Sequence, residues 1–410
     1  MSALKSVVAA QKQGLPIFDK CRKYTVPDDI RAAGVYNFFR VIESGQDPVV
    51  LMHGREMVML GSNNYLGLTS HPKVKEAAIA AVRKYGSGCA GSRFLNGTLD
   101  IHVELEERLA DFMKKPACIT FSTGFLANIG AISSLAGKGD TIYLDRQDHA
   151  CIYDGARLAI GADLKKFKHN DPADLRRLLA LNGDRAGRLL VVDGVFSMEG
   201  DIAPLDEYAA ICGDWEMAFM VDDAHGVGVL GRHGRGTAEH FGLEDRVDLI
   251  MGTFSKSLAA VGGFLVGDSE VISFIKHKAR ALIFTAAPPP ASVAAVLAAV
   301  DIIEKEPERR EQLWENTRFM LTSLRAIGFD CGESSTPVIP ILVGDDFRAL
   351  KMAKRLEEEG VFVNSVVSPA TAPGRALIRT SYMATHKREH LTRALDAFHR
   401  VGRELGIINS

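Results

Sequence analysis

Residues 247–263 read VDLIMGTFSKSLAAVGG and place one lysine, Lys256, among small and hydroxyl residues directly after an apolar run. The run VDLIM (247–251) is typical of a buried strand. An ammonium group is costly to bury unless it is paired, neutralised or used in a covalent bond. Lys256 therefore marks the end of this strand as a candidate functional site.

Short apolar runs of the same kind alternate with helical patterns through the middle of the chain. Because these runs show no alternation of apolar and polar residues, we expect strands covered on both faces, as in a mostly parallel α/β sheet. Sheets of this class bind ligands beyond the carboxyl ends of their strands. The predicted strands are ACITF (117–121), TIYLD (141–145), RLLVVDGVF (188–196), MAFMVDD (217–223), DLIMGTF (248–254) and GGFLVG (262–267).

Three segments are expected along the chain. Residues 1–59 form an N-terminal arm with a hairpin, PVVLMHGREMVML (48–60). Residues 60–290 form a large domain that holds the sheet, and residues 291–410 form a smaller α+β C-terminal domain. The predicted helices span 73–85, 100–115 and, after a run of prolines, one long segment at 288–328.

Composition disfavours several classes of function. The 410-residue chain is 47% hydrophobic and 24% charged with a net charge of −2, and no basic cluster is visible, so we expect no nucleic-acid partner. Its six cysteines lie far apart without a Cys-x-x-Cys pair, which favours a reducing cytosol, and we predict no metal site. Neither a signal peptide nor a run of 18 uncharged apolar residues is visible, so we expect a cytoplasmic protein. Peripheral contact with the inner face of the membrane stays open, because a short amphipathic patch escapes such a scan.

Two stretches match the G-x-G-x-x-G pattern of dinucleotide sites, GSGCAG (86–91) and GVGVLG (226–231). The first follows a predicted helix rather than a strand. The second runs into RHGRGT, which cannot open a helix as that kind of site requires. A nicotinamide or flavin site is therefore disfavoured, and we expect these glycines to serve tight turns and close backbone approach.

Polar residues follow the predicted strands one after another. FSTGFLAN (121–128) places hydroxyls and a glycine between a strand and a helix, where free N–H groups and the positive helix end favour a phosphate. Each such feature alone has a plain structural explanation, such as a turn or a helix cap. Five of them in consecutive β/α units are harder to explain in that way, because a parallel sheet brings their ends together. The other four are His149; Ser197; Asp222, Asp223 and His225; and Thr253, Ser255 and Lys256.

A phosphate cradle, an aspartate and a lysine at strand ends are what pyridoxal phosphate (PLP) chemistry needs. The lysine holds the cofactor aldehyde as an imine, and a buried aspartate keeps the pyridine nitrogen protonated, so that the ring accepts the electrons of a carbanion. PLP is therefore the predicted cofactor. Its covalent bond to Lys256 would explain why a lysine stands at the end of a buried strand.

Six motifs of the chain occur together and in a fixed order: NNYLGL (63–68), GSGCAGSRFLNGT (86–98), STGFLAN (122–128), DGVFSMEGD (193–201), VDDAHGVGVLG (221–231) and GTFSKSLAAVGG (252–263). Through these six motifs the chain resembles the α-oxoamine synthases, and the resemblance extends over about residues 35–400. The resemblance implies a fold-type I PLP-dependent transferase and a homodimer with its active site at the subunit interface. Such enzymes condense an amino acid with an acyl-CoA thioester and release CO2 and CoA.

The resemblance also implies roles around the cofactor ring. Lys256 would be the imine lysine and Asp222 the partner of the pyridine nitrogen. His225 and Ser197 would contact the 3′-oxygen of the ring, and His149 would stack on its face. The residues expected to take part in catalysis are Lys256, His149, Asp222 and His225.

The phosphate is expected to lie among small and hydroxyl residues. By resemblance, Gly124 and Phe125 would approach it from the start of a helix, and Thr253 and Ser255 from the lysine motif. Thr285 would reach the phosphate of the neighbouring subunit.

The substrates are implied by further stretches. Asn63 would lie near the substrate, and Arg379 would hold the carboxylate of the amino acid. RALIFTAAPPPAS (280–292), FVNSVVSPA (362–370) and LIRTSYMATH (377–386) are most similar to family members that join L-serine to a long-chain acyl-CoA, palmitoyl-CoA, and open sphingolipid synthesis with 3-oxosphinganine.

One departure from other family members bears on the acyl chain. Members that make the biotin precursor carry an arginine where this chain reads Val366-Val367-Ser368-Pro369. A valine cannot pair with a terminal carboxylate, which favours a plain hydrocarbon chain.

Alternatives stay open at this point. They are a family member that uses glycine, alanine or a threonine-derived unit, such as 8-amino-7-oxononanoate synthase or 2-amino-3-ketobutyrate ligase; a transaminase or lyase; and a scaffold of the same fold without catalysis. The presence of Lys256, Asp222 and His225 together weighs against the scaffold, which has no physical need for that trio.

Overall fold

The computed structural model describes residues 15–183 and 187–409. The predicted hairpin is present, and two long helices follow it. The first of these helices begins at Pro72, where a missing N–H is harmless, and ends before Gly86. In chain order the elements are helices α1 (Asp19–Arg22) and α2 (Val26–Ala32), strands β1 (Val49–Met52) and β2 (Arg55–Met59), and helices α3 (Pro72–Tyr85) and α4 (Asp100–Met113).

The middle of the chain alternates strands and helices around one seven-stranded sheet. The elements are β3 (Ala117–Phe121), α5 (Gly124–Leu135), β4 (Asp140–Asp145), α6 (Ala150–Leu158), β5 (Asp163–Phe167), α7 (Pro172–Leu181), β6 (Gly187–Asp193), α8 (Leu205–Asp214), β7 (Ala218–Asp222), α9 (Thr237–Phe241), β8 (Leu249–Thr253), β9 (Gly263–Gly267), α10 (Ser269–Lys278) and α11 (Arg280–Ile283).

The sheet has the order β3-β9-β8-β7-β6-β4-β5. Strands β4 to β8 pair in parallel, and β9 is antiparallel to both of its neighbours. The prediction of a mostly parallel α/β sheet is therefore confirmed. Strand β5 was not predicted, because its sequence DLKKF lacks a continuous apolar run. Among the described strands it pairs with β4 alone, and lysines are common on such edge strands.

Burial on both faces explains the apolar runs. In β6, Leu190 and Val192 belong to one hydrophobic core, and Leu189 and Val191 belong to the other. Successive side chains of a strand point to opposite faces, so a strand covered on both faces needs apolar residues throughout. Helices α5 and α6 cover one face, and helices α4 and α8 contribute to the core on the other.

The C-terminal part combines helices with a second, smaller sheet. Strands of this part pair antiparallel in the order β10-β13-β12, and β11 pairs in parallel with β2 of the hairpin. The division of the chain at residues 59 and 290 stays a prediction. The elements are α12 (Pro290–Lys305), α13 (Glu308–Ala326), β10 (Val338–Gly344), α14 (Asp346–Glu358), β11 (Val361–Phe362), β12 (Asn364–Val366), β13 (Ala376–Ser381) and α15 (Arg388–Glu404).

The prediction of one long helix over residues 288–328 was wrong. The segment forms two helices, α12 and α13, separated at Glu306 and Pro307. A proline inside a helix lacks the N–H donor and its ring clashes with the preceding turn, so a new helix begins after it. No helix within residues 15–183 and 187–409 is long and apolar enough to cross a membrane.

A buried ion pair ties the loop after α3 to helix α4 and strand β3. Arg93 donates from Nη1 and Nη2 to the two carboxylate oxygens of Glu106, at 2.7 and 3.1 Å. The N–H of Thr120 also donates to Glu106, at 2.9 Å. Because Thr120 is the next-to-last residue of β3, this pair helps to position the strand end that precedes α5.

Removing the carboxylate of this pair should be strongly destabilising. We expect Glu106→Ala to lower the free energy of unfolding by about 3–5 kcal/mol, since it leaves the Arg93 charge buried without its partner. In the exposed control Asp154→Ala, which breaks a surface pair with Arg157, the loss should stay below about 1 kcal/mol. Denaturant unfolding measures both, and a similar small loss for the two variants would contradict this role.

Candidate active site

A cleft of about 270 Å³ opens at the carboxyl ends of the parallel strands. We call it the strand-end cleft. Nine of the twelve residues predicted for the site line it, although they come from five separate segments of the chain. They are Gly124, Phe125, His149, Ser197, Asp222, His225, Thr253, Ser255 and Lys256.

One end of the cleft is built to accept an anion. Thr123 caps α5 by accepting the N–H of Leu126 through Oγ1, at 3.1 Å. A Cβ on Gly124 would lie only 2.8 Å from Oγ1 of Thr253, so glycine is needed for this close approach. The hydroxyls of Thr253 and Ser255 lie 3.0 Å apart. Hydroxyl groups beside the N–H groups of a helix start form a favourable phosphate site.

The two neighbouring aspartates after β7 have different surroundings. Asp222 lines the cleft, and its Oδ1 accepts the N–H of Ala224 at 3.0 Å. Asp223 accepts the N–H and the hydroxyl of Thr237, at 2.6 and 2.5 Å, and so fixes the start of α9. Burial raises the pKa of Asp223 to about 7, although the bonds from Thr237 oppose the shift. This difference supports Asp222 as the residue that faces the cofactor.

Lys256 lines the same cleft as Asp222. Burial lowers the pKa of Lys256 to about 8, against the opposing attraction of Asp222. Near neutral pH a larger share of the amine is therefore uncharged than for an exposed lysine. An uncharged amine reacts with an aldehyde and accepts a proton, which is what the predicted role requires.

His225 is held by a tyrosine that the sequence did not single out. The hydroxyl of Tyr65 lies 2.6 Å from Nδ1 of His225, and both side chains are buried. Burial, together with the positive charges of Lys256 and Arg379, holds the pKa of His225 well below its usual value. The imidazole is therefore neutral, and it takes part in hydrogen bonds rather than ion pairs.

His149 is the N-cap residue of α6, and its ring lines the cleft at an angle to that of Phe125. Burial lowers the pKa of His149. Its backbone N–H donates to Oδ2 of Asp193 at 2.9 Å. Asp193 is paired in register with Asp222 on the next strand. Burial and the charge of Asp222 raise the pKa of Asp193 well above its usual value.

Arg379 and Asn63 lie beside the cleft and are joined through hydrogen bonds. Arg379 donates from Nε to the carbonyl oxygen of Ser197 at 2.6 Å and from Nη2 to Oδ1 of Asn63 at 3.0 Å. These two bonds use two of the five guanidinium donors. Strand β13 therefore brings a buried cation to the rim of a site whose other residues come from the sheet.

Thr285 is not among the residues that line the cleft. It follows α11, and the next residue, Ala286, forms a bridge with Ser92 and accepts the hydroxyl of Ser122. Thr285 therefore lies close to the start of α5 along the surface. Its role toward a neighbouring subunit stays a prediction.

Sequence reasoning missed four residues at the site: Tyr65, Asn128, Cys151 and Asp193. Two signals were available, since Asp193 ends a predicted strand just as Asp222 does, and Cys151 stands two residues after His149. Asn128 and Tyr65 gave no comparable signal, because their contacts come from elements far away in sequence.

The side chains at this site suit PLP in three separate ways. The start of α5 with Thr253 and Ser255 matches the phosphate, Asp222 matches a protonated ring nitrogen, and Lys256 matches the aldehyde. The close contact at Gly124 leaves the helix start open to an anion. These residues therefore fit the cofactor, and their individual roles toward it stay a prediction.

Comparison with known proteins agrees with this chemistry. The chain belongs to the aminotransferase class I and II family, which matches residues 55–398, and its relatives place it among the α-oxoamine synthases of that family. It is 48% identical to a serine palmitoyltransferase of Sphingobacterium spiritivorum over 95% of this chain and 97% of that protein. It is 42% identical to an 8-amino-7-oxononanoate synthase of Thermoanaerobacter pseudethanolicus over 93% of this chain and 96% of that protein.

A solved structure gives the same result for the fold. The serine palmitoyltransferase of S. paucimobilis, with a bound PLP–myriocin aldimine, superimposes with a TM-score of 0.92 at 37% identity. The match covers 95% of this chain and 98% of the other. The predicted family, the fold-type I architecture and the PLP cofactor are thereby confirmed.

The covalent role of Lys256 is open to direct test. Borohydride reduction of the protein with PLP should fix the cofactor on the peptide that contains Lys256, and Lys256→Ala should lose both the label and turnover. The exposed Lys276 on α10 provides a control, since Lys276→Ala should keep both. Recovery of the label on another lysine, identified by peptide mass, would refute the assignment.

Exchanging the two aspartates for asparagine should separate their roles. We expect Asp222→Asn to bind PLP but to slow turnover by orders of magnitude, because the ring nitrogen is no longer held protonated. Asp223→Asn should lower thermal stability with a far smaller effect on rate, because its bonds go to Thr237. Steady-state kinetics and melting curves measure both effects, and equal losses of rate would mean that the two roles are wrongly divided.

Proposed function

We propose that the chain acts as a serine C-palmitoyltransferase. It would condense L-serine with a long-chain acyl-CoA, palmitoyl-CoA, to give 3-oxosphinganine, CO2 and CoA, the first step of sphingolipid synthesis. The observation that carries this proposal is the strand-end cleft. Lys256 and Asp222 both line it, and Arg379 lies at its rim. The 48% identity to serine palmitoyltransferases supports the choice of substrates.

The chemistry of the step depends on a group that withdraws electrons. When bound, PLP supplies a ring that accepts the electron pair left on the α-carbon of the amino acid. Asp222 would keep the ring nitrogen protonated through a carboxylate whose Oδ1 and Oδ2 are already oriented by donors from Ala224 and Asn128. Thr253 and Ser255 would hold the phosphate end with their hydroxyls.

Lys256 is the base of this mechanism. Its Nζ takes the α-proton of serine and later returns a proton to the product, which requires an amine that is uncharged part of the time. The pKa of about 8, set by burial, meets that requirement near neutral pH. His225 and Ser197 line the same cleft and would hydrogen-bond to the 3′-oxygen of the ring.

The carboxylate of serine would be held by Arg379, with His149 as a second donor. Arg379 is itself fixed by Ser197 and Asn63, so its charge has one orientation before any substrate arrives. Such positioning lowers the entropic cost of bringing serine and the thioester together. The new carbon–carbon bond forms as the carbon–sulfur bond of the thioester breaks and CoA leaves, and the carboxylate of serine then leaves as CO2.

The acyl group is expected to be a plain hydrocarbon. Val367 follows β12 and is half-buried. Arg375 is exposed on a turn, and its backbone N–H donates to the carbonyl oxygen of Ala372. Arg375, which follows Val367 in the sequence, is an arginine that could replace the one found in makers of the biotin precursor. Its exposure supports a site without a partner for a terminal carboxylate.

Two further points belong to the proposal. The enzyme would be a homodimer with the active site at the interface, and a second copy would cover the exposed apolar side chains Leu95 and Phe284. It would act in the cytoplasm, and peripheral contact with the inner face of the membrane stays open. Exposed Ile17 and Phe18 beside basic residues of α1 support such contact.

The acyl specificity gives a test against the 8-amino-7-oxononanoate synthase alternative. Each buried methylene contributes about 0.8 kcal/mol, so a site shaped for sixteen carbons should favour palmitoyl-CoA over octanoyl-CoA by several kcal/mol. Pimeloyl-CoA should hardly react, because burying its unpaired carboxylate is expensive. With L-serine as the amino acid, we expect kcat/KM to fall in the order palmitoyl-CoA, octanoyl-CoA, pimeloyl-CoA, with each product identified by its mass. Comparable values for pimeloyl-CoA and palmitoyl-CoA would exclude the palmitoyltransferase proposal.

A further inference from the structure

Two buried side chains, Asn128 and Cys151, lie between Asp222 and His149. Nδ2 of Asn128 is 2.6 Å from Oδ2 of Asp222 and 3.0 Å from Sγ of Cys151. Sγ of Cys151 is in turn 2.8 Å from Nδ1 of His149. A continuous hydrogen-bonded link therefore joins the partner of the ring nitrogen to the imidazole expected on the ring face.

One backbone contact indicates which way the bonds of this link run. Because His149 caps α6, its Nδ1 accepts a hydrogen bond from the backbone N–H of Cys151 at 3.2 Å. A backbone N–H only donates, so this contact favours the neutral ring with a lone pair on Nδ1 and its proton on Nε2. The thiol of Cys151 shares that lone pair as a second donor, at 2.8 Å, since its other acceptor, Oδ2 of Asp222, is 4.0 Å away. The sulfur accepts from Asn128, whose second N–H donates to Asp222.

The amide of Asn128 is not explained by packing. Its side chain is fully buried, and its Oδ1 has no hydrogen-bond partner within the parts of the chain that the structure describes. An unpaired buried carbonyl is unfavourable, and a leucine of similar shape would avoid it. An asparagine at this position is therefore best explained by the two bonds that its Nδ2 donates.

We propose that Asn128 and Cys151 are positioning residues for the reaction. Asn128 fixes the carboxylate of Asp222, and Cys151 holds His149 as the tautomer with its proton on Nε2. In that tautomer Nε2 is the ring atom that can donate to a substrate carboxylate. The inference rests on the proposed function only in taking Asp222 and His149 to face cofactor and substrate.

The tautomer can be read by 15N NMR of the histidine rings in protein without PLP, with His149→Gln to assign the signal. Wild type and Cys151→Ser should show Nδ1 unprotonated and Nε2 protonated. Cys151→Ala removes one of the two donors to Nδ1, so its signals should move toward the average of the two tautomers. Cys212→Ala, which removes a buried thiol on α8, should match wild type. A protonated Nδ1 in wild type, or unchanged signals in Cys151→Ala, would overturn the role of Cys151.

The role of Asn128 is tested by Asn128→Leu and Asn128→Ala. We expect Asn128→Leu to melt, without PLP, at the same temperature as wild type or higher, because the unpaired carbonyl is gone. Its affinity for PLP, measured by absorbance titration, should fall about tenfold or more, because a bond to a buried charge is lost. Asn128→Ala should lose affinity to a similar degree.

Unchanged affinity in both variants, or unfolding of both before PLP can bind, would overturn this role. Neither measurement uses serine or an acyl thioester. A failure of the proposed acyl transfer would therefore leave both results intact, and the two proposals can fail separately.

Discussion

A carboxylate that is almost fully withdrawn from water, Asp222 at the end of β7, is the constraint on which the site depends. A buried charge needs donors and a counter-charge, and both are supplied by neighbouring elements. The N–H of Ala224 and the amide of Asn128 donate to its two oxygens, and Lys256 lines the same cleft. The protonated ring nitrogen of PLP would complete this arrangement, so cofactor binding satisfies a charge that the fold has already placed.

Burial also sets the chemistry of the other groups. It lowers the pKa of Lys256 to about 8 and keeps the histidines neutral, so that the amine can react and the rings can form directed hydrogen bonds. Arg379 lies at the rim, where two hydrogen bonds fix it. The cleft thus combines one lysine with neutral imidazoles, and a fixed guanidinium group lies beside it.

Much of this arrangement could be predicted from the sequence, since uninterrupted apolar runs indicate strands covered on both faces and a parallel sheet gathers the residues that follow them. That reasoning predicts Gly124, Ser197, Asp222 and Lys256 at one edge of the sheet. It failed where the pattern is ambiguous: β5 is an edge strand with two lysines, and the helix predicted over 288–328 is broken at Pro307.

Contacts between distant elements could not be predicted from patterns alone. Arg379 and Asn63 are 316 residues apart in the chain, and only the family resemblance indicated that both belong to the site. The sequence did not indicate that Tyr65 and Asn128 belong to the site, because the presence of a tyrosine or an asparagine in a strand–helix protein is usually explained by its local structure. Their importance appears only when the distances to His225 and Asp222 are known.

The central claim is that bond formation is coupled to loss of the serine carboxyl group. Incubation with L-serine labelled at the carboxyl carbon and palmitoyl-CoA tests it most directly, with labelled CO2 and free CoA thiol both counted. The account predicts one labelled CO2 for each CoA released and an unlabelled lipid product. Release of CoA without labelled CO2, or a lipid that keeps the label, would contradict it.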